Sequence, residues 1–224
     1  MKLAIGTVQF GVNYGINNSR GIPSDSDLIR IFDLASENSI EFLDTSIAYG
    51  NSEKRIAELS GNKFRIITKS SEVKSHDELK NSIDLSLLNL NTDHVYGYLF
   101  HNPKNLIDNP RLWSTLVDFK QNNKIQKIGY SLYETEQLEE LLRVECIPDI
   151  VQLPYSLLDR KFERYFKKLK EMGCEIHVRS VFMQGLYFID LKSLPQRLYP
   201  LRKYLVRLDK ICSDYDLTIG DLAL

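Results

Sequence analysis

The sequence predicts an α/β fold, a (β/α)8 TIM barrel C-terminally truncated to about seven β/α units, and three observations carry this reading. Short apolar runs alternate strictly with amphipathic stretches, which implies a parallel sheet with helical crossovers. The apolar runs are continuous, as strands buried on both faces are. The first turn, "GTVQFGVNYG", lacks the GxGxxG of an open dinucleotide-binding sheet, and no GK[ST] phosphate loop occurs anywhere. A closed barrel is therefore favoured over an open doubly wound sheet, and its chemistry is expected at the C-terminal ends of the strands.

The elements follow in order. "KLAIGTVQFG" is strand-like, and in "SDSDLIRIFDLASENS" Leu28, Ile31, Phe32 and Ala35 fall on one helical face, with Ser24 and Asp27 as a capping pair. "IEFLDTS" is the second strand and "SEKRIAELS" a short helix. "FRIITKS" is the third strand, followed by "SHDELKNSIDLSLLNL", a helix opened by the capping box Ser75 and Glu78. "HVYGYLFHN" pairs with "LWSTLVDFKQNNK", "QKIGYSL" with "ETEQLEELLRV", and "DIVQLPYSL" with "KFERYFKKLKEMG". The lysines of "FKKLK" read as the solvated face of one helix. "CEIHVRSVFM" is the seventh strand, and a long helical region follows Pro200. The units are too dissimilar to form a repeat, and no linker interrupts them, so residues 1–224 are expected to form one domain.

Composition excludes several function classes. Hydrophobic residues make up 43% and charged residues 26%, with a net charge of -1, so no nucleic-acid partner is expected. No apolar run approaches the roughly 18 residues of a membrane span, and "MKLAIGTVQFGV" is too short and polar for a signal peptide. Cys146, Cys174 and Cys212 are odd in number and form no CxxC, which suggests buried thiols in a reducing, cytoplasmic setting. His76, His94, His101 and His177 show no metal-ligand spacing, so no metal site is expected.

Four ionisable residues stand at or beside consecutive strand ends. Asp44 ends the second strand, Tyr49 lies in the loop after it, Lys69 ends the third, and His101 ends the fourth. Barrel geometry brings such ends to one face. A free tyrosine is a poor acid near neutrality, with a pKa near ~10. A neighbouring ammonium is expected to lower that value, a carboxylate to keep the ammonium charged and oriented, and a neutral histidine to direct a substrate oxygen. Such a set suits proton donation to a carbonyl as it is reduced, with the hydride coming from a cofactor.

At these residues the sequence resembles the aldo-keto reductase superfamily, in its bacterial branch. The resemblance rests on "DTSIAYGNSE", "TKS" and "FHN" in order on successive strands, with "GYSL", "VQLPYSLLD" and "RSVFMQGL" further on. It implies reduction of aldehydes or ketones by NADPH, with a small-molecule carbonyl substrate. Tyr49 would be the general acid, Lys69 and Asp44 its tuning pair, and His101 the substrate-orienting group. The cofactor-side residues it implies are Gly6, Thr7, Asp44, Ser131, Gln152, Arg179 and Ser180. Two departures stand out. Leu132 replaces the asparagine that pairs with Ser131 in the family, and Arg179 stands where a tyrosine commonly stacks on the nicotinamide.

The resemblance also leads to the expectation that an eighth β/α unit, which carries the grip on the adenosine 2'-phosphate, is missing after "SDYDLTIGDLAL". A seven-stranded parallel sheet has two open edges. Weak NADPH binding, marginal stability, and self-association or a partner that covers the open edge are expected in consequence. An alternative is a degenerate, non-catalytic barrel that serves as a binding or scaffold protein. A barrel hydrolase or lyase using Asp44 and His101 would leave Tyr49 and Lys69 without a role.

Overall fold

The computed structural model describes residues 3–224; Met1 and Lys2, at the start of the first expected strand, lie outside them. Seven parallel strands run in sequence order across one sheet: β1 (Ala4–Gly6), β2 (Phe42–Asp44), β3 (Arg65–Lys69), β4 (Val95–Phe100), β5 (Ile125–Ser131), β6 (Ile150–Pro154) and β7 (Glu175–Arg179). The sheet curls into a partial barrel. Among the described residues, β1 pairs only with β2 and β7 only with β6, so both outer edges are unpaired, as the seven-unit reading anticipates.

Among the described residues ten α-helices accompany the strands: α1 (Val8–Gly11), α2 (Asp25–Glu37), α3 (Ser52–Leu59), α4 (His76–Asn89), α5 (Pro103–Asp108), α6 (Trp113–Gln121), α7 (Thr135–Arg143), α8 (Phe166–Glu171), α9 (Arg202–Tyr215) and α10 (Ile219–Ala223). Ser24 caps α2 in a full box with Asp27. Ser75 caps α4 only by half: its side chain accepts from the Glu78 amide, while the Glu78 carboxylate reaches the Lys74 amide at 2.7 Å. The strand expected in "KLAIGTVQFG" breaks after Gly6, and Val8–Gly11 forms one helical turn instead. Pro103–Asp108 is a helix that apolar periodicity does not announce; Asn102 caps it and Pro103 opens it.

Two apolar clusters separate the faces of the sheet. The larger lies between sheet and helices and includes Leu28, Phe32, Ile83, Tyr98, Phe100, Leu116 and Leu138. The smaller, Phe42, Ile67, Tyr96, Leu99 and Ile150, contains residues from β2, β3, β4 and β6 and fills the inside of the curl. Side chains alternate across a strand, so the residue two places beyond each inner position returns to the same face. From Phe42, Ile67, Leu99 and Ile150 that step leads to Asp44, Lys69, His101 and Gln152. The apolar inner layer is thus the floor under the polar layer at the mouth. Cys146 and Cys174 are buried free thiols, whereas Cys212 is only half-buried, on the exposed helix α9. No helix among the described residues is long and apolar enough to cross a membrane.

Candidate active site

Asp44 and Lys69 meet where β2 and β3 end. The Lys69 side chain is wholly buried, and its Nζ donates to Asp44 Oδ1 at 2.7 Å and to the Thr45 carbonyl at 2.9 Å. Asp44 Oδ1 also accepts from Gln152 Nε2 at 2.7 Å, which ties β6 to the pair across the curl. Burial pulls the Lys69 ammonium below its ordinary value, and the Asp44 charge and hydrogen bond oppose that.

Tyr49 is set by backbone packing. Its amide donates to the Ser46 carbonyl at 3.0 Å and its carbonyl accepts from Ser52 at 3.1 Å, so the loop is two successive turns leading into α3. Gly50 takes φ 59°, the left-handed region that favours glycine. Against this loop lies α1, packed so closely that a Cβ on Gly11 would sit 1.9 Å from the Tyr49 carbonyl oxygen. Arg55 clamps the neighbouring chain, donating to the Phe10 carbonyl at 2.6 Å, the Pro23 carbonyl at 2.8 Å and Asp25 at 2.9 Å.

Tyr49 and His101 stand ring edge to ring face, with centroids 5.6 Å apart, and Lys69 Nζ lies 5.3 Å from the Tyr49 ring centroid. His101 Nδ1 contacts Ser46 Oγ at 3.1 Å. Burial, and then the Lys69 charge, lower the His101 pKa to about 4, so its imidazole is neutral near pH 7. The lowering of the Tyr49 pKa expected from Lys69 is not found. Burial first, and Asp44 second, raise it well above the ordinary value. The ammonium donates instead to Asp44 and the Thr45 carbonyl and lies over the Tyr49 ring.

The residues implied for the cofactor divide into two groups. Gly6 opens onto a cavity of about 1870 Å³, and a Cβ there would meet nothing within 4 Å. Ser131, Gln152, Arg179 and Ser180 line the same cavity. Thr7 also borders the cavity, but its side chain is turned away from solvent. It is fully buried behind Asp44, donating its hydroxyl to the Asp44 carbonyl at 3.0 Å and linked to Ser52 at 3.0 Å. That hydrogen bond ties the chain after β1 to the end of β2. Ser131 Oγ and Gln152 Oε1 are 3.5 Å apart, so these two are turned toward each other and Asp44. Leu132 is buried, and its carbonyl accepts from Arg179 Nη2 at 2.8 Å. Sequence reasoning missed Ser46, Tyr14 and Tyr133; the serine sits in "DTS" and the two tyrosines in loops, with no periodicity to mark them.

The aldo/keto reductase family model matches residues 2–224. The chain belongs to the aldo/keto reductase family. The NADPH-dependent alpha-keto amide reductase of Saccharomyces cerevisiae is 29% identical over 93 residues, which are 39% of this chain and 30% of that protein; the match thus spans under a third of the curated relative's length. A Pseudomonas aeruginosa protein assigned to the aldo-keto reductases superposes with TM-score 0.70 at 26% identity, over 82% of this chain and 74% of its own. The glycerol dehydrogenase of Gluconobacter oxydans shares the fold, with TM-score 0.75 at 20% identity over 98% of this chain and 76% of its own.

Proposed function

We propose that the protein reduces the carbonyl group of an aldehyde or ketone with NADPH, and that Tyr49 donates the proton. The observation that carries this is the meeting of Asp44, Tyr49 and His101 around one cavity at the strand ends, with Lys69 wholly buried behind them against Asp44. Family membership and the NADPH dependence of the yeast relative support the cofactor. The lining of the cavity supports a place for the nicotinamide half. Gly6 leaves room for a ring, and Ser131, Gln152, Arg179 and Ser180 present polar groups around it.

NADPH, when bound, supplies the hydride that reaches the carbonyl carbon. The chain supplies the rest. The substrate oxygen lies between Tyr49 Oη and the His101 imidazole. Ser46 Oγ, which also donates to the Lys69 carbonyl at 3.3 Å, holds His101 Nδ1 at 3.1 Å and so orients the neutral imidazole toward that oxygen. As negative charge grows on the oxygen, the Tyr49 proton moves to it. The raised pKa keeps Tyr49 protonated at rest, so the proton is present when the substrate arrives. Solvent then restores it.

A second reading, a barrel that binds without catalysis, is favoured by one observation: the Gln152 amide that would hold the nicotinamide is engaged with Asp44. Loss of NADPH absorbance on adding a panel of simple aldehydes and ketones separates the two readings. Carbonyl-dependent consumption supports reduction; no consumption by folded protein that still binds NADPH supports the second reading.

A further inference from the structure

We infer that the carbonyl substrate carries a carboxylate and that Arg179 receives it; this rests on the reductase reading above and names its substrate class. Arg179 is the last residue of β7, in register with Pro154 on β6, and lines the cavity that holds Tyr49 and His101. Its charge is uncompensated. The Lys69 charge is cancelled by Asp44 at 2.7 Å, whereas among the described residues no carboxylate lies within ion-pair distance of Arg179. His101 is neutral, so this corner of the mouth carries one free positive charge.

The guanidinium is also pre-positioned. It lies 4.3 Å from the centroid of the Tyr133 ring, with Nη2 on the Leu132 carbonyl at 2.8 Å and Nη1 on Ser180 Oγ at 3.3 Å. Two of its five N–H groups are thereby used and three remain, of which the buried Nε–H has no acceptor. A cation fixed by its neighbours loses little freedom when it takes a planar anion on its remaining donors, and the guanidinium fork matches a carboxylate. The site lies beside the proposed acid: the Arg179 charge acts on the Tyr49 and Tyr14 hydroxyls, opposing the rise that burial causes. Tyr14, Tyr49 and Tyr133 line the cavity around it. An uncharged carbonyl compound would leave the charge unanswered.

The experiment compares succinic semialdehyde with its methyl ester, in wild type, Arg179→Gln and Arg179→Lys, alongside calorimetric titration of each protein with succinate. Wild type is expected to prefer the acid at least about tenfold in kcat/KM, as a charge-assisted hydrogen bond provides. The preference should fall to near unity in Arg179→Gln, be intermediate in Arg179→Lys, and shrink as salt rises. Succinate should bind wild type at least about tenfold more tightly than Arg179→Gln. The ratio of the two substrates removes any effect of the substitution on the cofactor. Equal use of acid and ester by wild type, an acid preference that survives in Arg179→Gln, or equal succinate binding would overturn the inference. Absence of turnover of both compounds by wild type contradicts the reductase reading instead, and the succinate titration then decides the role of Arg179 alone.

Discussion

Replacing Lys69 with methionine keeps the buried stem and removes its charge. In the native protein that charge has two partners, Asp44 Oδ1 at 2.7 Å and the Thr45 carbonyl at 2.9 Å, and the lysine side chain has no exposure while Asp44 keeps 17%. Lys69→Met leaves the Asp44 carboxylate with Gln152 as its one side-chain partner, and leaves the Thr45 carbonyl without its donor. Breaking a buried pair from one side costs about 3–5 kcal/mol. The residual exposure of Asp44 places the expectation at the lower end, about 3 kcal/mol, or a fall in Tm of roughly 6–12 °C for a chain of this size. Asp44→Asn removes the other charge, and the double variant removes both, so no uncompensated buried charge is left. The double variant should therefore be more stable than the sum of the single losses predicts, by at least about 1 kcal/mol. Urea unfolding followed by far-UV circular dichroism measures all four proteins. A Lys69→Met loss under about 1 kcal/mol, or additive losses, would refute the claim that this pair is a desolvated, mutually dependent unit.

Further outcomes follow from the same structure. Gly11→Ala should push the Tyr49 loop away, because its Cβ would meet the Tyr49 carbonyl at 1.9 Å; the expected cost is about 1–3 kcal/mol in stability, with a larger proportional loss of turnover, read by unfolding and steady-state rates on the same samples. Ser46→Ala removes the partner of His101 Nδ1 and should lower kcat more than it raises KM, whereas a purely structural serine would change stability alone. Acid stability should decline as pH falls from 6.5 towards about 4, because the folded state holds His101 neutral while the unfolded chain takes up its proton. At the other extreme, the thiols of Cys146 and Cys174 are pushed up from 9.0 to about 11 and about 12, so their contribution should be lost as pH rises from about 9 through those values. Thermal unfolding across pH checks both limbs; a flat profile in either window would contradict the corresponding burial.

Much of the frame was legible because strands buried on both faces announce themselves, and the strand-end positions of Asp44, Lys69 and His101 follow from that alone. The two-residue step from an apolar inner layer to a polar one is also written in "FLD", "IITK" and "LFH". What could not be read is the assignment of hydrogen bonds. Asp44 is a shared acceptor for Lys69 and Gln152, and 108 positions separate it from the glutamine. Thr7 faces the back of Asp44 because the first strand breaks after Gly6, a local event that apolar pattern does not mark. The rise in Tyr49 was likewise hidden, since it depends on how far the folded chain buries the hydroxyl and on the Asp44 charge beside it. Tyr14 and Tyr133 sit in loops, and only the closed chain brings both near Arg179.

The central claim is that Tyr49 delivers the proton to the reduced carbonyl. Its most direct test is NADPH consumption by wild type and by Tyr49→Phe, with cofactor affinity measured on both. The account predicts that the variant binds NADPH as wild type does and loses about 100- to 10,000-fold in kcat, the span that a general acid contributes. A Tyr49→Phe protein that keeps wild-type kcat would contradict it.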